Sequence, residues 1–391
     1  MDGHKALAAA TRSPALRTAA IGLRRWGACA LETRTQTFKL AAVNTRYLQS
    51  LLIWAAALGL LHGTTAAKSS EEQPRYSSRP EAMALADDIA VRQGLDRQWV
   101  RRAIGRSTLQ PQVIKLMTPA PASTPKNWAQ YRSRVVDPVR IKAGVRFWRA
   151  HRKTLARAER RFGVPAEIIV GILGVETLYG RHMGSYRVID TLATLAFDFP
   201  SEHPRAQQRS EFFKKELEYL LSLRRQHGIN PLKIEGSYAG AMGMSQFMPS
   251  SWAKYAIDFD GDGRVNLFKT ADAIGSVANY FRNFKWQPGM PTHFSVDFDP
   301  QRLDMDALLA PDIRPTFDAT RMAAKGVMLD DHGQRHPGLL ALVELPNGEA
   351  SPTYVAGTEN FYAITRYNWS SQYAMAVIEL GRAVASALRN R

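Results

Sequence analysis

The chain has 391 residues, a formal net charge of +17 and an apolar share of 45%. That length suits two or three domains or one large lobed one, and the apolar share is that of a globular protein. Cys29 is the only cysteine, which excludes an intrachain disulfide. The basic balance points to nucleic acid, an anionic membrane or an anionic wall polymer.

Residues 1–67 hold eight Lys and Arg against Asp2 and Glu32, so the remainder carries +11. Leu51 to Leu61 is an apolar run with Arg46 before it and Thr65-Ala66-Ala67 after it. This is the charged, apolar, small-residue order of a secretory signal. The run is shorter than the roughly 20 residues of a comfortable transmembrane helix. An uncleaved membrane anchor is the alternative. Cys29, preceded by Trp26-Gly27-Ala28, lacks a lipoprotein context. Cleavage after Ala67 would leave a cysteine-free protein in an oxidising compartment.

Residues 68–80 are polar, with Ser and Pro, and read as a linker. From Pro80 to about Arg161 the pattern is mostly helical, interrupted by a loop or boundary at Pro119 to Pro125. Arg146 to Arg161 has the pattern of one basic amphipathic helix, either a solvated face or an attraction for an anionic polymer. Residues 163–180 predict a buried helix, with Pro165 in its first turn, Gly180 just past its end and apolar residues on almost every face. Gly171 and Gly174 each cost about 1 kcal/mol of helix propensity relative to alanine, which close approach of another backbone would offset.

Within that helix Glu176 is isolated among apolar residues, Ile172-Leu173-Gly174-Val175 before it and Thr177-Leu178-Tyr179 after it. It is either a satisfied core polar group or a catalytic acid. Burial disfavours a charged carboxylate, so such a group holds its proton towards neutral pH and can give it to a leaving oxygen.

Helices follow at 205–227, around 250–257 and at 271–284. Between the first two lies Gly236-Ser237-Tyr238-Ala239-Gly240-Ala241-Met242-Gly243, continuing to Gln246 and Ser251. Its small residues allow close backbone approach, and Gln246 can donate and accept hydrogen bonds as sugars require. A tight structural turn is the plainer reading. Asp258-Phe259-Asp260-Gly261-Asp262-Gly263-Arg264 is the first half of an EF-hand loop, with Arg264 offering its carbonyl. Lys269 occupies the twelfth position, where an acid is usual, and Asp272 is the substitute if the loop is longer. An exposed acidic turn is the alternative. No His/Cys cluster suggests zinc.

Residues 293–298 and 326–356 carry short β-type stretches with a turn at Pro346-Asn347-Gly348. Phe361 to Tyr373 interleaves aromatic with polar residues, which suits sugar faces or an ordinary core turn. A final helix spans about 371–389. The pattern is α+β, mainly helical, with a β lobe inserted late.

Taken in order, Gly-Val-Glu-Thr at Glu176, the Gly-rich segment with Gln-Phe-Met-Pro-Ser-Ser, the Asp loop with Ala271 to Tyr280, and Ile-Thr-Arg-Tyr-Asn with Tyr-Ala-Met-Ala-Val resemble the lytic murein transglycosylases of the B type. The resemblance runs from about Tyr76 to the C-terminus. It implies a helical lobe at 81–162, a lysozyme-like catalytic core with the EF-hand-like loop at 163–290, a small β subdomain at 291–358 and a C-terminal helix at 359–391 returning to the core. It implies cleavage of the β-1,4 bond between N-acetylmuramic acid and N-acetylglucosamine, leaving a 1,6-anhydro end without added water.

By motif position the resemblance makes Glu176 the acid and base. It places Tyr131, Ser237, Gln246, Tyr280, Tyr367, Asn368 and Tyr373 against the glycan, and Asp258, Asp260, Asp262, Arg264 and Asp272 around calcium. Lys269 and Met244-Ser245 depart from the family pattern. The implied partner is the peptidoglycan glycan strand in the periplasm, with other cell-wall enzymes open and neither nucleic acid nor an organic cofactor called for. A lysozyme-type hydrolase would instead need a second carboxylate, for which Asp190, Glu202 and Glu235 are available. A calcium-stabilised, non-catalytic wall-binding protein would not need Glu176.

Overall fold

The computed structural model describes residues 75–119 and 125–390. The signal-like run and every reading on residues 1–67 lie outside the described residues. Helices α1 (Pro80–Gln93), α2 (Arg97–Gly105), α3 (Pro111–Met117), α4 (Trp128–Val135), α5 (Pro138–Ala150) and α6 (Arg152–Phe162) come first. Then follow α7 (Ala166–Thr177), α8 (Val188–Phe197), α9 (Ala206–His227), α10 (Pro249–Tyr255) and α11 (Thr270–Asn283). The chain ends on α12 (Glu359–Tyr367) and α13 (Ser371–Arg389). The starts are coded locally: Asp96, Asn127 and Asp137 each accept a backbone N–H three residues on, and Pro138 fills the first helical position of α5.

Helix α7 is the centre of the molecule. Ten of its twelve residues are buried, and α13 lies against it. The approach is close enough to require glycine. A Cβ on Gly171 would stand 2.2 Å from the Val377 carbonyl oxygen, and one on Gly381 would stand 2.2 Å from that of Glu167. The propensity lost at Gly171 is therefore offset by backbone-to-backbone packing.

Strands β1 (Tyr186–Arg187) and β2 (Glu235–Gly236) form a short antiparallel pair. The later strands, β3 (His293–Phe298), β4 (Val327–Leu329), β5 (Ala341–Asn347) and β6 (Ala350–Gly357), make one antiparallel sheet in the order β4-β3-β6-β5. Side chains alternate across a strand. In β5 this sends Leu342 into a small core with Phe294, Leu308 and Met322, while Ala341, Val343 and Leu345 join the main helical core. The sheet is thereby a partition between two cores. The β5–β6 hairpin turns at Gly348, whose φ of 68° is the left-handed value that a two-residue hairpin turn asks of glycine. Asn347, beside it, accepts from the Ala129 N–H at 3.1 Å, and the Gly348 N–H donates to Lys126 O at 3.0 Å. The hairpin thus fixes the start of α4.

Three sequence expectations are corrected. The end of the expected linker is packed: Tyr76 is 1% exposed, and its hydroxyl and the Arg79 guanidinium both donate to Asp198. The basic helix expected over 146–161 is two helices. His151, at φ −116° and ψ 21°, separates α5, which packs on α13, from α6, which packs on α11. Two different packing partners demand two directions. Finally, α7 does not run on to Gly180. Leu178 and Tyr179 already have φ of 49° and 60°.

Candidate active site

The end of α7 presents Glu176. Tyr179 N–H bonds to Leu173 O at 2.9 Å and Leu178 N–H to Gly174 O at 3.2 Å, a paired closure that usually employs glycine. Here leucine and tyrosine hold left-handed backbone, a strain of about 1–2 kcal/mol per residue that surrounding contacts must hold in place. Several do. Thr177 Oγ1 donates to Met244 O at 3.0 Å and accepts from Gly180 N–H at 2.9 Å, tying the helix end to the Gly-rich segment. Arg140 Nε donates to Gly174 O at 3.2 Å, while its Nη1 pairs with Asp137 at 2.6 Å.

Glu176 is half-buried and opens into a cavity of about 120 Å³ that Asp137, Arg140, Thr177 and His182 also line. Protein encloses its carboxyl elsewhere. Desolvation pushes its pKa up to about 7, against a smaller downward pull from Tyr373, whose hydroxyl donates to Glu176 Oε1 at 2.6 Å. Tyr373 stands in the first turn of α13, so the α7–α13 packing that needs Gly171 also makes this hydrogen bond. Burial therefore lets this carboxyl keep its proton closer to neutral pH than an ordinary glutamate does.

The other expected site residues fall into two groups. Tyr131, on α4, is near enough for the Glu176 charge to raise its hydroxyl pKa further, and that hydroxyl is buried without a partner. Asn368 is 1% exposed with both side-chain polar atoms unpartnered. Gln246, at φ 50°, donates from Nε2 to Met183 O at 3.2 Å and Gly243 O at 2.9 Å, leaving Oε1 as an acceptor. These three keep hydrogen-bonding capacity for a ligand.

The second group serves the scaffold. Ser237 Oγ accepts from Ala239 N–H at 3.3 Å and Ala241 N–H at 3.0 Å, organising the turn while its own proton remains to donate. Tyr367 donates to Ser245 O. Tyr280 donates to Arg366 O at 2.6 Å inside an aromatic cluster with Phe247, Phe284 and Tyr367. Its hydroxyl proton is therefore taken by backbone.

None of the three carboxylates offered for a hydrolase lines the Glu176 cavity. Asp190 is buried, accepts from Thr108 N–H at 3.1 Å and pairs with Arg187. Glu202 is exposed, and Glu235 lines a different cavity. Asp137 does line it, but one oxygen caps α5 and the other is paired with Arg140. Sequence reasoning missed Asp137, Arg140 and Thr177. The Asp-Pro start of α5 was a usable signal for the first, but nothing local marks the other two.

In the acidic loop, Asp258, Asp260 and Asp272 each bring one oxygen within 4.8 Å of the others, a set that fits a divalent cation. Asp262 does not join them. Its carboxylate is paired with the Lys269 ammonium, which also stands 3.5 Å from Asp260. Backbone groups do much of the organising: Asp258 accepts from Gly261, Asp262 and Gly263, and Asp272 from Phe259, Asp260 and Asn266.

The fold is of mixed α+β, mainly helical build, and its central helix ends on a single glutamate that opens into a cavity. Residues 77–382 match the family described as "Transglycosylase SLT domain". The chain is 39% identical over 324 residues to the membrane-bound lytic murein transglycosylase B of Escherichia coli K12, covering 80% of this chain and 84% of that one. The catenated lytic transglycosylase SltB1 of Pseudomonas aeruginosa superposes with a TM-score of 0.73 at 38% identity, over 80% of this chain and 99% of that one. The Escherichia coli lytic transglycosylase Slt35, solved in complex with calcium, gives 0.69 at 36% identity, over 83% and 100%. The chain belongs to the B-type lytic murein transglycosylases. It is a lytic transglycosylase of peptidoglycan with the lysozyme-like fold of these relatives. Among the described residues no helix is long and apolar enough to cross a membrane.

Proposed function

We propose that Glu176 cleaves the β-1,4 bond between N-acetylmuramic acid and N-acetylglucosamine by acting first as acid and then as base. The protonated carboxyl gives its proton to the glycosidic oxygen as the bond to the muramic anomeric carbon breaks. The resulting carboxylate takes the proton of the muramic 6-hydroxyl, whose oxygen bonds to the same carbon. The product is a 1,6-anhydro ring, no water is consumed, and Glu176 ends as it began. Intramolecular attack gains from proximity. One observation carries this reading: Glu176 is held near pKa 7 in a cavity whose other carboxylate, Asp137, is fully engaged. Tyr373 orients the acid. Gln246, Asn368, Tyr131 and the Ser237 proton bind the glycan, with Tyr280 and Tyr367 behind them.

The same reading divides the chain into the helical lobe, core, β subdomain and returning helix set out above, and places the mature protein in the periplasm. Calcium is a structural ion held by Asp258, Asp260 and Asp272, with the Arg264 carbonyl. Asp262 joins only when Lys269 lets it go. Bound there, calcium cross-links the loop to the start of α11 and supplies no chemistry to the reaction.

The test is digestion of purified peptidoglycan in oxygen-18 water, followed by mass spectrometry. Ends that carry no label and resist borohydride are expected. Predominantly labelled, reducible ends would establish hydrolysis instead.

A further inference from the structure

Two helices that carry site residues end against one guanidinium. Helix α4 carries Tyr131 and closes on Arg134 and Val135, while α7 closes on Glu176 and Thr177. The last carbonyls of a helix lack partners within it, and a cation beside them suits the helix dipole. Arg140 serves both ends. Its Nη1 donates to Arg134 O at 2.8 Å and its Nε to Gly174 O at 3.2 Å. Asp137 holds the fork in place. One of its oxygens accepts from Nη1 at 2.6 Å, and the other caps α5 through the Arg140 N–H at 2.9 Å. The Arg140 side chain is only 15% exposed, so water competes little for these bonds.

The consequence is a set separation. Tyr131 lies three residues before one bridged carbonyl, and Glu176 lies two residues after the other. Helix α4 otherwise rests on α13 and β5, and its hydrogen-bonded tie to α7 runs through Arg140. The two side chains sense each other: burial first, and then the Glu176 charge, push the Tyr131 hydroxyl pKa up, and that hydroxyl has no partner. The shift of Glu176 itself is caused by desolvation and Tyr373. The guanidinium is engaged with backbone and Asp137, so its effect at the acid is one of placement.

We propose that Arg140 is a positioning residue for the cleavage, setting the spacing between the Tyr131 hydroxyl that holds the sugar and the Glu176 carboxyl that moves the proton. The proposal rests on the reading that Glu176 is the acid and that Tyr131 lies against the glycan. A planar fork spans two carbonyls and a carboxylate in fixed directions, and the point charge of a lysine does not reproduce that.

The experiment is a double-mutant cycle on glycan strands, with rates taken well below the Tm of each variant. Arg140→Lys keeps the charge and loses the fork. It should lower kcat about tenfold to a hundredfold, the cost of a small misplacement, and change KM less than about threefold. Tyr131→Phe should cost about tenfold in the wild-type background but less than about threefold in Arg140→Lys, where the spacing is already lost. A merely structural role would leave the cost of Tyr131→Phe the same in both backgrounds, and that result would overturn the proposal. So would wild-type kcat in Arg140→Lys, or a Tyr131→Phe without effect in either background. Asp137→Asn keeps an oxygen for the α5 cap and frees the fork. It should repeat the pattern at smaller amplitude, and it carries the cycle if Arg140→Lys does not fold. Glu176→Gln is the separate check on the underlying reading. An active Glu176→Gln would sink that reading, whereas an inactive Glu176→Gln beside additive costs would sink only the role of Arg140.

Discussion

Glu176 and Asp262 are both carboxylates that the sequence marks, yet their surroundings push them in opposite directions. Glu176 is enclosed at the end of a buried helix, and desolvation lifts it to about 7. In the loop, Asp260 and Asp262 keep about a third of their side-chain surface open, and Lys269 holds Asp262 below its ordinary range. One site isolates a single acid so that its proton is available. The other crowds several acids so that a cation, ammonium or calcium, is needed among them. Number of carboxylates is not what separates a catalytic acid from a metal cluster; access to water and to counter-charge is.

The largest effect expected tests the isolated acid. Glu176→Gln should lower peptidoglycan cleavage by at least about a thousandfold, since an amide neither gives nor takes the proton. Its stability should change with pH in a set direction. The native pKa of about 7 lies above the ordinary value of 4.5, so the wild type loses stability as pH rises from about 4.5 through 7. The Gln variant should therefore gain Tm relative to wild type between pH 5 and pH 8. A constant difference across that range would mean that burial does not set the charge of Glu176. In the wild type, kcat/KM should fall as pH passes about 7.

Glycine substitutions sharpen the same contrast through packing. Gly171→Ala would drive a Cβ into the Val377 backbone and should cost about 3 kcal/mol or more by denaturant unfolding. Gly263→Ala meets nothing within 4 Å and only its φ of 82° opposes it, so about 1 kcal/mol is expected. Similar costs would contradict the difference in packing between the two regions.

Tyr373→Phe removes the hydrogen bond that favours the Glu176 carboxylate. The falling limb of the pH–rate profile should move to higher pH, and kcat should drop about tenfold as the acid loses its orientation. An unmoved limb would mean that the two groups are not coupled in solution.

The smallest effect belongs to the loop. Calcium should raise Tm through mass action, and Lys269→Ala should enlarge that rise by about 2–5 °C by removing the competing ammonium, while Asp260→Ala should reduce it. A melting curve indifferent to EDTA and millimolar calcium in the wild type and in Lys269→Ala alike would remove the metal from this loop.

Much of this was legible along the chain. Glu176 stands out because a charged residue in an apolar run contradicts its neighbours. The hairpin at Pro346-Asn347-Gly348, the long helix at 205–227 and the last helix at 371–389 were readable because turn chemistry and apolar period are local signals. Tyr280 was placed against the glycan by resemblance alone, and the sequence held no sign that its hydroxyl donates to the Arg366 carbonyl. Arg140 carried no signal in the sequence, and only folding brings it to the Gly174 carbonyl.

The sequence by itself therefore determined the longest helices and the late hairpin, which glutamate is anomalous and which acids share a loop, because each depends on residues a few positions apart. Tertiary structure decided the rest. It set the pKa of Glu176 by closing α13 over α7, delivered Tyr373 from 197 residues away, and turned Lys269 into the partner of Asp262. Desolvation and ion pairing depend on distance in space, and the chain order does not contain that distance until the backbones have packed.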